Sequence, residues 1–196
     1  MARASFPRLR HAFDTLKSVG FFGILTLAGG CAATSSIVRE PPAAAPNHAT
    51  TTCPVFVMLP TIPPGAFHGS AGVNAGEVQS KVAERILEVV RGQCANGELV
   101  EPTESAAAVA RGRGANYLLV PTIERWNQQR TDDPIGAFIT PKNSIRVSLR
   151  LLRLEPPAVV GRVTFTNRSR ITLNQGAERL LNDDFRAAIL SLLWGD

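Results

Sequence analysis

The stretch that constrains everything after it runs over residues 19–31, VGFFGILTLAGGC. Ahead of it stand Arg3, Arg8, Arg10 and Lys17, opposed only by Asp14. Then come Phe21, Phe22, Ile24, Leu25 and Leu27, and the small residues Ala28, Gly29 and Gly30 lead into Cys31. A basic head, a short apolar middle and a small-residue exit make a secretory signal over residues 1–30. The apolar run is too short to span a bilayer, which takes about 20 apolar residues. The remainder is therefore expected to fold in the periplasm.

The exit Leu27-Ala28-Gly29-Gly30-Cys31 resembles the lipobox of bacterial lipoproteins. It departs from it at one place: leucine stands four residues before the cysteine, and Ala28 takes the usual leucine position. The resemblance implies that the Cys31 thiol is diacylated, the signal is cut before it, and the new amino group is acylated, with fatty acids such as palmitate. More than one acyl chain holds stably, at about 0.8 kcal/mol per buried CH₂. Ala32 rather than an aspartate follows, which in enteric-type sorting implies the outer membrane. An ordinary cleaved signal with an incidental cysteine is the weaker alternative.

Three of the five net positive charges of the 196-residue chain lie in the signal. The slight excess left in the mature part is no nucleic-acid footprint. Residues 31–52, rich in Ala, Pro, Ser and Thr, hold few large apolar side chains and read as a flexible tether. Residues 53–196 are long enough for one core and read as one domain.

Within it, residues 55–59 form a continuous apolar run between prolines, as in a buried strand. Residues 61–76, with Pro63, Pro64, Gly65, Gly69 and Gly72, read as a long loop. Helical spacing of Val78, Val82, Ile86, Val89 and Val90 predicts a helix over 77–93, capped by Asn74. A short strand follows at 98–101, an alanine-rich helix at 103–113, and a strand at 116–126. A second long loop spans 127–143. Residues 144–154 and 159–171 alternate apolar and polar, as in a hairpin with one wet face, turning at Glu155-Pro156-Pro157. A final helix covers 177–194. The order is β-α-β-α-β-β-β-α: a mixed α/β domain with a sheet of about five strands and helices on one face.

Cys53 precedes the first strand and Cys94 follows the first helix. A helix returning along its strand brings the two together, so a disulfide is favoured over two buried thiols in an oxidising compartment. The histidines His11, His48 and His68 lack ligand spacing, so no metal site is expected.

No catalytic set is legible. There is no GxSxG, Walker loop or GxGxxG. Gly112 and Gly114 precede a strand, whereas a phosphate loop follows one. Asp132-Asp133 and Asp183-Asp184 read as a turn and a wet helix face rather than paired catalytic acids. No enzyme activity and no cofactor are expected. What remains is a surface: Arg146, Arg150, Arg162, Arg168 and Arg170 on the hairpin's polar face, with Trp126 beside them. Clustered arginines with an aromatic suit a protein interface, or an anionic envelope glycan such as peptidoglycan. An ordinary solvated face is the competing reading.

GANYLLVPTIERW, the arginine-rich SIRVSLRLLRL and the first strand VFVMLP resemble a family of uncharacterised proteobacterial lipoproteins, a domain of unknown function. The resemblance covers most of the mature chain and implies an α/β fold like the TolB N-terminal domain and the LpoB-like activators of penicillin-binding proteins. It implies no catalytic residue, and it does not account for the cysteine pair. Together these readings describe an outer-membrane lipoprotein that acts as a non-enzymatic adaptor for an envelope protein, or as a glycan-binding module. Cys31→Ser should move the protein from the membrane pellet to the soluble periplasmic fraction; persistence in the pellet after a carbonate wash would count against lipid anchoring.

Overall fold

Val55, Phe56 and Val57 are all buried, because their strand has protein on both faces and both edges. The structure, a computed structural model, describes residues 34–40, 51–68, 73–128, 143–169 and 176–195. Its strands are β1 (Thr34–Glu40), β2 (Val55–Met58), β3 (Phe67–His68), β4 (Leu99–Val100), β5 (Tyr117–Gln128), β6 (Asn143–Leu154) and β7 (Pro157–Ser169). Its helices are α1 (Ala75–Arg91), α2 (Ala106–Gly112) and α3 (Asp183–Trp194), with a 3₁₀ turn over Ala177–Leu180. The sheet runs β1-β7-β6-β5-β2-β4, and β3 pairs along the far end of β5.

The mixed α/β class expected from the sequence is the class observed. The wider sheet has two additions, and both follow from backbone pairing rather than hydrophobicity. β3 and a bridge from Thr61 to Thr122 lay part of the first long loop along β5. β1 corrects the tether reading for its seven residues: Thr34–Glu40 pairs antiparallel with β7, Thr34 opposite Arg168 and Glu40 opposite Arg162. All seven residues are exposed. An edge strand needs only ladder hydrogen bonds and extended-chain formers such as Thr34, Ile37 and Val38, so its sequence carries no burial signal.

The helices divide between two faces. β2 and β4 are parallel neighbours, and so are β2 and β5. The crossover through α1 leads from β2 outward to β4; the crossover through α2 leads back past β2 to β5. Both obey the same right-handed rule while running in opposite directions, so they place their helices on opposite faces. α1 and α3 cover one face, where Val82, Ile86 and Ile189 meet Val57, Leu119 and Val147. α2 covers the other, where Ala106 and Ala110 meet Phe56, Leu118 and Val120. The expected one-face arrangement holds for α1 and α3 alone.

Local signals explain the helix ends. The Asn74 side chain accepts from the Gly76 N–H at 2.9 Å. Glu77 pairs with Lys81 at 2.8 Å one turn on. That hydrogen bond is the main cause of a raised Lys81 pKa, so its stabilisation is present at neutral pH and lost only above the lysine range. The last helix is shorter than its apolar stripe suggests, because Asn182 caps it by accepting from the Phe185 N–H. Ahead of it, the buried Asn167 side chain donates to the Leu180 carbonyl at 3.0 Å, closing the 3₁₀ turn against β7. α3 lies close to β7 at Gly161, where an added Cβ would come within 2.7 Å of Leu192 Cδ1.

Cys53 and Cys94 form a disulfide, their Cα atoms 5.6 Å apart across 41 residues of sequence. It ties the start of β2 to the end of the α1 region. Closing a loop of that length contributes about 3–4 kcal/mol by loop entropy. A Cys53→Ser/Cys94→Ser double variant should therefore unfold at clearly lower urea than the oxidised protein, and reductant should move only the latter. Coincident urea midpoints would show that the bridge contributes nothing.

Candidate functional site

The surface singled out by sequence is the outer side of β6, β7 and β1, and cross-strand register places its residues. Arg146 faces Thr166, Ser148 faces Thr164, Arg150 faces Arg162 and Ser144 faces Arg168. β1 extends the same face with Thr34 beside Arg168, Ser36 beside Thr166, Val38 beside Thr164 and Glu40 beside Arg162. Arg170 and Cys31 lie outside the described residues.

Trp126 does not belong to this face. It is 1% exposed and packs in the core beneath α1 and α3. The cause is a bulge: the β5–β6 register shifts between Ile123 and Arg125, so Glu124 is an extra residue and the alternation restarts after it. Arg125 then stands opposite Arg146, and Trp126 opposite Ile145. Two consecutive exposed residues, Glu124 and Arg125, between buried ones mark the bulge. That polar doublet, ER between TI and W, is the signal from which it can be read in sequence. Trp126 donates its backbone N–H to the Ala66 carbonyl at 2.8 Å, while its buried indole N–H has no partner among the described residues.

The face is thus built of Arg125, Arg146, Arg150, Arg162 and Arg168, with hydroxyls between them and two carboxylates among them. Glu124 holds the Arg146 Nε at 2.8 Å, and Glu40 holds the Arg162 Nη1 at 2.8 Å. These are water-exposed pairs, each about 0–1 kcal/mol. Arg150 and Arg168 have no carboxylate partner among the described residues. Ser148 and Thr164 place their hydroxyls 3.5 Å apart in the middle of the face. Among the described residues the arrangement is basic and hydroxyl-rich, with Val38 exposed on it and no exposed aromatic. Chemically it can receive carboxylates or phosphates through guanidinium donors.

No family model matches the sequence, and no curated protein matches it. Among solved structures, the PelC dodecamer from Paraburkholderia phytofirmans matches with a TM-score of 0.56 and 16% identity, over 83% of this chain and 99% of that one. Protein XCC0632 from Xanthomonas campestris, of the family DUF330, matches at 0.44 and 13% identity, over 79% and 92%. The C-terminal domain of LpoB from Salmonella enterica is also among the neighbours, at 0.31 and 15% identity, over 61% and 84%. The likeness to PelC is one of fold. Among the described residues, no helix is long and apolar enough to cross a membrane.

The position of Trp126 is open to a direct check. In a Trp194→Phe variant Trp126 is the sole tryptophan, and its fluorescence should resist iodide quenching. Trp126→Ala should lower stability by about 3–5 kcal/mol. Free quenching by iodide in the folded protein would return the ring to the surface.

Proposed function

We propose that the chain is a lipid-anchored, non-enzymatic adaptor of the outer membrane, whose basic sheet face engages an acidic surface of an envelope protein. The observation that carries this is the course of β1. Thr34 follows Cys31 by three residues, so the strand begins within roughly 10 Å of the acylated residue. β1 is also the outer strand of the basic face. In sequence, only Ala32 and Ala33 separate the anchor residue from the strand that edges the face, so no long spacer lies between them. The domain stands close to the membrane, and its partner reaches it there.

Three further features support the reading. The Cys53–Cys94 bridge suits an oxidising compartment. The PelC structure of this fold is a dodecamer, so the scaffold is compatible with assembly. Two copies of the basic face would repel one another, which favours an acidic partner over face-to-face self-association. A second reading, an anionic envelope glycan such as peptidoglycan, gains from the withdrawal of Trp126. An array of guanidinium and hydroxyl groups without an aromatic anchor suits a polyanion better than a protein hot spot.

An in-cell crosslink decides between them. A photo-crosslinking residue at Ser36, with the lipid anchor kept, should capture one envelope protein, and Arg146→Glu/Arg150→Glu should abolish capture. Captured glycan would select the second reading. Capture of neither, from correctly anchored protein, would remove the face from consideration.

A further inference from the structure

The end of the sheet opposite Thr34 carries a cleft of about 270 Å³. Thr52, Arg111, Tyr117, Arg153 and Glu155 line it, together with residues 114–116. Segments distant in sequence meet there: the residue before the disulfide, the last turn of α2, the start of β5 and the end of β6. Their positions are fixed by backbone pairing. Asn116 donates its backbone N–H to the Pro54 carbonyl at 3.0 Å and its side-chain amide to the Cys53 carbonyl at 2.8 Å. Leu154 returns a hydrogen bond to the Asn116 carbonyl at 2.9 Å. The Cys53–Cys94 bridge pins the same corner. A wall held this way is formed before any ligand arrives, so binding pays little to order it.

The guanidinium groups of the cleft keep donors to spare. Arg153, half-buried, spends its Nε–H on the Pro156 carbonyl at 3.2 Å, and its terminal amino groups meet no carboxylate among the described residues. Arg111 forms a loose ion pair with Glu155, Nε to Oε1 at 4.0 Å, between side chains 53% and 75% exposed, and no hydrogen bond closes it. Tyr117 is 8% exposed, and its hydroxyl makes no hydrogen bond to a described residue. Glu155 opposes an incoming anion, but its side chain is 75% exposed at the rim, where water screens it. Two guanidinium groups and a phenol around one small cleft form a donor set for an oxyanion.

We infer that this cleft binds the carboxylate or phosphate group of a small ligand. Its volume falls just below the range of about 300–1,000 Å³ that holds drug-sized molecules. The ligand is therefore of the size of one sugar or amino-acid unit. The site lies apart from the basic hairpin face and does not depend on the adaptor reading.

The test is a titration of the ¹⁵N-labelled mature lipoprotein in detergent micelles with inorganic phosphate, with glucuronate, and with glucose as the neutral control. Saturable amide shifts at Gly114, Ala115 and Tyr117 are expected with phosphate or with glucuronate, and whichever binds identifies the source of the anion. Arg111→Gln and Arg153→Gln should each weaken binding about tenfold, about 1.4 kcal/mol. Tyr117→Phe, which keeps the ring in the core, should weaken it severalfold with the spectrum otherwise unchanged. Shifts that never saturate, shifts centred on Arg150 and Thr164, equal effects of glucose, or undiminished affinity in Arg153→Gln would each overturn the assignment.

Discussion

The backbone ladder of β5 is the constraint on which the other elements depend. It pairs with β2 on one side and with β6 on the other, and its distal end also carries β3. Because strand side chains alternate, its register decides which residues enter which layer. Tyr117, Leu119 and Ile123 go to the layer under α1 and α3, while Leu118 and Val120 go to the layer under α2. A uniform alternation carried to the end of the strand would send Trp126 to water and Arg125 inward. The bulge at Glu124 prevents both. One unpaired residue thereby spares the sheet a buried guanidinium and a large exposed aromatic, at the cost of one interrupted ladder position.

The location of the basic face follows from topology. Parallel strands require crossovers, and crossovers bring helices; antiparallel hairpins need neither. The parallel half of the sheet, β4-β2-β5, is therefore covered on both sides. The antiparallel half, β6-β7-β1, is covered only where α3 and the 3₁₀ turn return across it. Among the described residues no helix covers its other side, and polar residues, the arginines among them, occupy it.

This division also explains which features were legible in the sequence. α1 and the β6–β7 hairpin announce themselves by period, since each has one buried and one wet side: Val78, Val82 and Ile86 on the helix, Ile145, Val147 and Leu149 on the strand. β2 is legible as an apolar run because it is wet on neither side. β1 carries no such mark. All of its residues are exposed, and its ladder hydrogen bonds are ones that any sequence free of proline could make. The face on which α2 lies is likewise invisible in its own residues, because it depends on the order of strands and the handedness of the connection. Of the candidate surface, Arg146, Arg150 and Arg162 were legible from alternation. Glu40 and Arg125 were not, because one belongs to the edge strand and the other lies beyond the bulge.

The charges on this face conflict with one another. Arg150 lies directly across from Arg162, and Arg125 across from Arg146, so like charges oppose each other in neighbouring strands. Such pairs destabilise a sheet by some tenths of a kcal/mol each. Glu124 and Glu40 offset part of this by holding Arg146 and Arg162. No carboxylate among the described residues does the same for Arg150, in the last row of the face on β6. Folding alone would be served as well by threonine there, as in the neighbouring Thr164 and Thr166. The uncompensated guanidinium of Arg150 is thus the feature of this face that the proposed acidic partner would answer.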